Sequence, residues 1–176
     1  MVNFRKLSDL EEKSIRSYLK YFGSKIFDRL KDKGTFLVGE KYRKEVFLVS
    51  HEIYDLYQDL KDYKNPYCLG AHLGNMRGNK FVLTLNGIDA ISGFTNKKIM
   101  LNQKGELRFI YGKSLNSKHI KKIYSDFNRG NEMIIINRLG EVIGLGKSLV
   151  PIKSPLKKKI KINNRLDLGW YLRKGY

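Results

Sequence analysis

The chain has few of the residues that build covalently linked or metal-held folds. Cys68 is the only cysteine among 176 residues, which excludes an internal disulfide and any multi-cysteine zinc or iron–sulfur site. No apolar run approaches the ~18–20 residues that a membrane-spanning helix needs. The first residues contain no apolar stretch of the kind found in secretory signals, so we expect a soluble intracellular protein.

Acidic residues are scarce as well. The chain has 35 lysines and arginines against 17 aspartates and glutamates, a formal net charge of +18. Residues 1–96 hold 16 basic and 12 acidic side chains, whereas residues 97–176 hold 19 and 5. The second half is therefore predicted to face a polyanion, because its field speeds encounter with nucleic acid or an anionic membrane. The alternative is a solvated surface that only keeps the protein soluble.

Core-forming residues, in contrast, are abundant, at 41% hydrophobic and 12% aromatic, which is too rich for a disordered chain. Ser8 and Glu11 form a capping-box pattern, and apolar residues up to Leu30 then recur at helical spacing. This pattern predicts one amphipathic helix of about six turns, weakened in the middle by Gly23 and ended by Gly34. A second helix is predicted at 51–62, with Ile53, Tyr57 and Leu60 on its apolar face. Other elements predicted in this half are a hairpin of 35–39 with 45–49, an irregular turn at 68–74, a strand at 80–85 and a helical turn at 86–92.

The second half has the pattern of a small β-barrel. A domain boundary is predicted at 93–96, and several short strands surround one helix. The strands are predicted at 98–101, 107–111, 132–137, 141–145 and 156–162, and a short basic helix at 116–124. Residues 132–145 are predicted to form a β-hairpin with Gly140 in its turn.

A lysine cluster is the strongest chemical signal. Six basic residues and no acidic residue fall between Lys153 and Arg165. In an extended strand, Lys157, Lys159 and Lys161 share one face about 6.6 Å apart, which suits the phosphates of an extended single strand. Lys118, Lys121 and Lys122 form a second group. Aromatic residues lie nearby on which bases could stack, and of these Phe109 and Phe127 are predicted to be core, leaving Tyr111 and Tyr124.

Patterns for catalysis or metal binding are weak. Residues 144–148, Gly-Leu-Gly-Lys-Ser, lack the earlier glycine of a phosphate loop, so we interpret the glycines as letting a strand bend or another group approach the backbone. The three histidines have no metal-ligand spacing, and we predict no metal and no cofactor. Cys68 is expected to be a buried small hydrophobe. Asp167 is expected to cap a helix start or a turn.

Five short motifs, in order along nearly the whole chain, resemble the Nip-seven family of ribosome biogenesis factors. They are Leu-Gly-Ala-His-Leu-Gly at 69–74, Lys-Phe-Val-Leu-Thr-Leu at 80–85 with the apolar turn after it, Phe-Ile-Tyr-Gly at 109–112, Ile-Gly-Leu-Gly at 143–146, and Asp-Leu-Gly-Trp-Tyr-Leu-Arg at 167–173. The total length matches as well. An excess of lysine over arginine, 25 to 10, and the lack of long loops suit a thermophilic archaeon.

The resemblance implies an α+β protein with an N-terminal α/β domain at 1–95 and a PUA domain, a small β pseudo-barrel that binds RNA, at 96–176. It implies a non-enzymatic factor in pre-rRNA processing and large-subunit assembly, without a cofactor, in the cytoplasm of an archaeon or the nucleolus of a eukaryote. Its expected partners are pre-ribosomal RNA, through the second domain, and other assembly proteins, through the first. Combined with the charge pattern, it predicts RNA contacts at Lys118, Lys121, Lys122, Lys157, Lys158, Lys159, Lys161 and Arg165.

Two alternatives belong to other functional classes. An RNA-modifying enzyme could use the second domain for docking, and its candidate catalytic residues would be Asp89 and Cys68. A membrane-surface protein could use the lysine cluster, although the chain lacks a basic amphipathic helix with aromatic residues on its apolar face. For a protein partner on the first domain, the candidate anchors are Tyr54, Tyr57, Tyr63 and Tyr67, about half of which are expected to face the core.

Overall fold

The chain divides into two compact units in this computed structural model. The first domain is Met1–Phe94 and the second domain is Thr95–Tyr176. The structure describes residues 2–62, 66–153, 160–170 and 173. Each domain is built on a sheet of its own, five-stranded in the first and six-stranded in the second.

The first domain is an antiparallel sheet with helices, and its strands follow chain order. The strands are β1 Asn3–Lys6, β2 Thr35–Glu40, β3 Lys44–Val49, β4 Ala71–Arg77 and β5 Lys80–Leu83. The helices are α1 Asp9–Lys20, α2 Ile26–Lys31, α3 His51–Leu60 and α4 Leu85–Ser92. The predicted hairpin is confirmed as β2 and β3, which pair along six residues.

The first predicted helix begins as expected but is two helices rather than one. Ser8 and Glu11 cap each other's backbone as predicted, and α1 then ends at Lys20. The prediction of one continuous helix to Leu30 is wrong because the chain breaks around Gly23, a residue that costs ~1 kcal/mol inside a helix. The break lets Phe22 and Ile26, on either side of it, both become buried.

The prediction of an irregular turn at 68–74 is also wrong, because most of this segment belongs to β4, which pairs with both β3 and β5. Glycine at position 74 makes room for the ring of Phe81, whose Cε2 would lie 2.5 Å from a Cβ there. Glycine in a strand thus reflects close packing here rather than a turn. Cys68, just before the strand, is exposed, which contradicts its predicted burial.

Helix α3 forms where predicted, with Ser50 as its N-cap, and Tyr57 packs against the core as predicted, whereas Ile53 and Leu60 do not. Ile53 and Leu60 are 44% and 42% exposed. The helix is attached instead through Tyr54 and Tyr57, which pack against a core cluster that includes Phe4. The side of α3 that carries Ile53 and Leu60 therefore faces solvent.

The sheet of the second domain rolls into a near-closed barrel, with strand order β7-β11-β10-β9-β6-β8. The two edge strands, β7 and β8, are consecutive in the chain and joined by a single 3-10 turn, so the edges must meet. The elements are β6 Lys98–Leu101, α5 Gln103–Ile110, β7 Leu115–Asn116, the 3-10 turn Ser117–His119, β8 Ile120–Ile123, β9 Glu132–Ile136, β10 Val142–Ser148 and β11 Lys161–Asp167. The predicted hairpin at 132–145 is confirmed as β9 and β10, with Gly140 at φ +89° in the turn.

Two predicted elements of this domain are wrong. Residues 107–111, predicted as a strand, end helix α5, which Asn102 caps by accepting a hydrogen bond from the Gly105 amide. Residues 116–124, predicted as a helix, form the end of β7, the 3-10 turn and β8. The predictions of core positions are confirmed, since Phe109 and Phe127 are 0% and 2% exposed in the barrel core.

The interpretation of the glycines at 144–146 is confirmed at Gly144, where the pairing of β10 with β9 shifts register. Its φ is +152°, and a Cβ there would lie 2.1 Å from the Leu166 carbonyl oxygen. This glycine therefore allows a strand irregularity and the close approach of β11.

Candidate nucleic-acid interface

A bulge on edge strand β8 turns two consecutive lysines outward. Leu101 pairs with Ile120 and Met100 with Lys122, so Lys121 is an extra residue on β8. An extra residue resets the in–out alternation of a strand. Ile120 and Ile123 can therefore both be buried, while Lys121 and Lys122 are both exposed. The isoleucines lie three residues apart, a helical spacing, which explains why the pattern predicted a helix.

A tyrosine beside this strand lies between two lysines. The Lys122 ammonium lies 4.6 Å from the centroid of the Tyr124 ring, and the Lys98 ammonium lies 5.8 Å from it. The Tyr124 amide also donates a hydrogen bond to the Lys98 carbonyl, at 3.1 Å. The half-buried ring is thus held in place with cations on two neighbouring strands.

The 3-10 turn that presents Lys118 is fixed by three side chains. The Asn116 side chain accepts from the Lys118 amide at 3.1 Å, and the Asn102 side chain donates to the Lys118 carbonyl at 2.8 Å. His119 Nδ1 accepts from the Asn116 amide at 3.0 Å. Burial, and then the positive charges of Arg108 and Lys118, lower the pKa of His119, which favours the neutral ring that can accept this bond.

Strand β11 adds cations beside the same turn. Lys161 and Arg165 are both exposed, whereas Ile162 is buried in the barrel core. Lys161 pairs with Asn116, two residues before Lys118, so these two lysines lie near one another. Arg165 lies further along β11, about 13 Å away at ~3.3 Å per residue.

The fold thus gathers the predicted cations at the closure of the barrel: Lys118 on the turn, Lys121 and Lys122 on one edge strand, and Lys161 next to the other edge strand. We call these four residues the closure cations. Arg165 extends the set along β11. The predicted residues Lys157, Lys158 and Lys159 lie outside the described residues, as does Tyr63 in the first domain.

The closure cations have no acidic partner among the residues that the structure describes. No described carboxylate lies within 4.0 Å of their side-chain nitrogens or of Arg165. Acids of the same domain are used elsewhere: Glu106 pairs with Arg138 at 3.2 Å and Asp167 with Arg173 at 2.7 Å. The positive charge at the barrel closure is therefore available to an external anion.

Asp167 has a structural role that the sequence reasoning missed. Asp167, predicted to cap a helix start or a turn, is 2% exposed and is bound by Arg173 through two hydrogen bonds, at 3.0 and 2.7 Å. Arg173 also donates to the Ile110 carbonyl. Two of the resemblance motifs, at 109–112 and 167–173, thus meet at one contact. The available signal was that Asp167 and Arg173 stand at the two ends of one resemblance motif.

The described residues offer little catalytic or metal-binding chemistry. In the ranges described, no three His, Cys, Asp or Glu side chains converge to hold a metal ion. The two residues considered for an enzyme are both exposed, Cys68 beside the Gly70 carbonyl and Asp89 on α4. Over the same part of the chain, no helix is long and apolar enough to cross a membrane.

Comparison with known proteins agrees with this architecture. Residues 97–176 match the UPF0113 PUA domain, and residues 4–85 match the NIP7/UPF0113 pre-PUA domain. The molecule is therefore a two-domain PUA protein, as the resemblance implied. A UPF0113 protein of Archaeoglobus fulgidus is 30% identical over 173 residues, which cover 97% of this chain and 94% of that protein. This chain belongs to the NIP7/UPF0113 family.

A more distant relative carries a functional name. The 60S ribosome subunit biogenesis protein nip7 of Schizosaccharomyces pombe is 26% identical over 114 residues, which cover 62% of this chain and 63% of that protein. Solved structures share the fold at low identity. A conserved PUA domain protein from Thermoplasma acidophilum has a TM-score of 0.62 at 12% identity, covering 98% of each chain. A PUA domain protein from Aeropyrum pernix, solved with tartrate, has a TM-score of 0.64 at 12% identity, covering 98% of this chain and 89% of that one.

Proposed function

We propose that this protein is a non-enzymatic RNA-binding factor in large-subunit assembly and pre-rRNA processing, and that it holds RNA on its second domain. The observation that carries the proposal is the set of closure cations without acidic partners beside the Tyr124 ring. Lysines neutralise phosphates and release counterions, and an aromatic ring offers a face on which a base can stack. The relationship to a ribosome biogenesis protein supports the assembly role. In an archaeon this role is carried out in the cytoplasm.

The RNA that suits this surface is single-stranded and weakly specified. Side chains on an edge strand and a short turn can follow a flexible backbone, whereas they form no element that enters a groove. Phosphate contacts fix position and carry no sequence information directly. Discrimination between sequences should therefore be modest and come from stacking at Tyr124.

The first domain is proposed to dock an assembly protein through helix α3. Ile53, Leu56 and Leu60 form an exposed stripe, with Leu56 at 57% exposure. A second stripe, at helical spacing beside it, is acidic: Glu52, Asp55 and Asp59, continued by Asp62. Apolar residues flanked by negative charge suit a basic amphipathic segment of a partner.

The test of RNA binding uses a fluorescent, uridine-rich single-stranded RNA at several salt concentrations. It compares the wild type with a variant in which the closure cations, Lys118, Lys121, Lys122 and Lys161, are changed to alanine. If all four contact phosphates, the slope of log affinity against log salt should become shallower by about 3, at ~0.7 per phosphate. Circular dichroism of both proteins checks that the fold is kept.

A matched control removes the same charge from another surface. Lys13, Lys20, Lys25 and Lys31 are exposed on or beside helices α1 and α2, so their change to alanine lowers the net charge equally. The control variant should keep nearly wild-type affinity and slope. An equal loss in both variants would show that only net charge matters, and the proposal would be wrong.

The absence of catalysis is tested separately. The protein is incubated with ribosomal RNA, with and without common methyl donors, and the nucleosides are analysed by mass spectrometry. We expect no new nucleoside. A modified nucleoside that disappears in Cys68→Ala or Asp89→Asn would establish the enzyme instead.

A further inference from the structure

A second basic groove lies at one end of the first domain's sheet, where two strand turns stand side by side. It is open, has a volume of about 820 Å³, and is lined by the turn between β2 and β3 and by the turn between β4 and β5. Lys44 pairs with Met76 across β3 and β4, which brings the two turns together. The residues that line this groove belong to the first domain and include none of the closure cations.

Cations on this groove lack acidic partners, although the first domain has nearly balanced charge. Lys41, Arg43 and Arg77 are exposed, and no carboxylate of the described residues lies within 4.0 Å of their side-chain nitrogens. Glu40, the acid that lines the groove, is already bound by Arg5 at 2.6 Å and lies 3.5 Å from Lys44. The positive charge of the groove is therefore not neutralised from within.

Two tyrosine rings stand in solvent beside these cations. Tyr42, on the first turn, is 89% exposed, and Tyr67 is 82% exposed. The Lys41 ammonium lies between them, 5.0 Å from the centroid of the Tyr42 ring and 5.9 Å from that of Tyr67. Rings this exposed contribute little to the core, and each keeps a free face on which a flat ligand can stack.

We propose that this groove is a second binding site for single-stranded RNA. Bases would stack on Tyr42 and Tyr67, and Lys41, Arg43 and Arg77 would contact the phosphates between them. Aromatic rings interleaved with cations are the combination used by sequence-tolerant single-strand sites. The amides of Asn75 and Asn79 also line the groove and can hydrogen-bond base edges. The inference rests on the proposed function in that RNA is the ligand, but it depends on different residues in a different domain.

The first arm of the test changes the rings in the full-length protein. Tyr42→Ala/Tyr67→Ala should weaken binding of a uridine-rich RNA of about ten nucleotides at least tenfold, because stacking on each ring is lost. Tyr42→Phe/Tyr67→Phe keeps the ring faces and should retain wild-type affinity. Equal loss in the alanine and phenylalanine variants would overturn the stacking assignment.

The second arm changes the charges and separates this inference from the proposed function. Lys41→Ala/Arg43→Ala/Arg77→Ala should make the salt slope shallower by about 2. The same three changes are then combined with those at the closure cations. If the ring and charge variants of the groove bind like wild type while the closure variant does not, this inference is wrong and the proposed function stands. If only the groove variants lose binding, the proposed function is wrong and this inference stands.

The third arm locates the RNA and tests the rival ligand. Photo-crosslinking of RNA containing 4-thiouridine to the closure variant should label peptides containing Tyr42 or Tyr67, and the absence of such labels would overturn the proposal. A polyglutamate peptide should displace this RNA only poorly, since it has no base to stack. Displacement as strong as that by unlabelled RNA would assign the groove to an acidic protein segment instead.

Discussion

The two domains use charge in opposite ways at their main sites. In the first domain, Arg5 bridges Glu11 at 2.7 Å and Glu40 at 2.6 Å, and Lys44 lies 3.5 Å from both acids. This network joins β1, the start of α1 and the β2–β3 hairpin. In the second domain, the closure cations have no acidic partner among the described residues. Charge therefore holds elements together in one domain and is left available to a ligand in the other.

The comparison also shows that net charge is a poor guide to where a ligand can bind. The first 96 residues are close to balance, yet Lys41, Arg43 and Arg77 have no carboxylate of the described residues within 4.0 Å of their side-chain nitrogens. Whether a cation has an acidic partner therefore depends on where the acidic side chains lie, and the net charge of the domain does not decide it. A nearly neutral domain can thus carry a basic site.

The second domain also contains a buried ion pair, Asp167 with Arg173. Removing this pair is expected to have the largest effect on stability. Changing Arg173 to alanine leaves a buried carboxylate without its partner, which should lower the free energy of unfolding more than Glu11→Gln does. Urea unfolding, followed by a probe of the second domain, measures it. Arg165→Ala removes the same residue type from the exposed face of β11 and should change stability by less than about 0.5 kcal/mol. Similar values for the two variants would contradict the assigned role of Asp167.

Glu11 should give the next largest effect, and it depends on pH. Its hydrogen bonds with Arg5 are the main cause that lowers its pKa from 4.5 to about 2 in the folded protein. When folding lowers the pKa of a carboxyl group, the ionised group stabilises the folded protein at pH values above its pKa in the unfolded chain. This stabilisation is lost as the pH falls toward the pKa that the group has in the folded protein. Glu11→Gln should therefore cost about 2 kcal/mol near neutral pH, and less as the pH falls from about 5 toward 3.

Urea titrations of wild type and Glu11→Gln at a series of pH values test this expectation. Glu12→Gln is the matched control, because Glu12 is 39% exposed and pairs with Arg16 on the surface of the same helix. It should lose less than about 0.5 kcal/mol, as is usual for an exposed pair. A constant gap between Glu11→Gln and wild type at all pH values would rule out the ion pair as the source of the stability.

The smallest expected effect on stability is at the closure cations. Changing Lys121 and Lys122 to glutamine removes positive charges that have no acidic partner in the described structure, so the free energy of unfolding should change by less than about 0.5 kcal/mol. A small gain is the expected direction, because like charges repel across the compact domain. Thermal unfolding at low salt measures it. A loss above about 1.5 kcal/mol would show that these lysines hold the barrel together.

Features set by neighbouring residues were predictable from the sequence. The capping box of Ser8 and Glu11 involves residues three apart, and the β2–β3 hairpin needs only a short turn between two β-rich runs. The burial of Phe109 and Phe127 follows from their size and apolar character. The two-domain PUA architecture followed from motif order, although each motif alone was weak.

Features that depend on distant partners were missed. In the sequence, the glycines at 70 and 74 suggest a turn. In the structure, a side chain at position 70 would collide with β3 and one at position 74 with the ring of Phe81. The three-residue spacing of Ile120 and Ile123 suggests a helix. In the structure, both are buried because the pairing of β8 with β6 contains a bulge between them. The partner of Asp167 was six residues away, but nothing local indicates that Arg173 binds both the Asp167 carboxylate and the Ile110 carbonyl.

The sequence by itself determined the sign of the charge, its concentration in the second half, the local helix and hairpin signals, and the family. Which of the cations lack an acidic partner depends on the tertiary structure. The physical reason is that composition counts charges, whereas pairing depends on distances of a few ångströms between residues far apart in the chain. Glu40 neutralises Arg5 rather than its neighbour Lys41 because β1 pairs with β2. Lys161 lies near the turn that carries Lys118 because β11 pairs with β7.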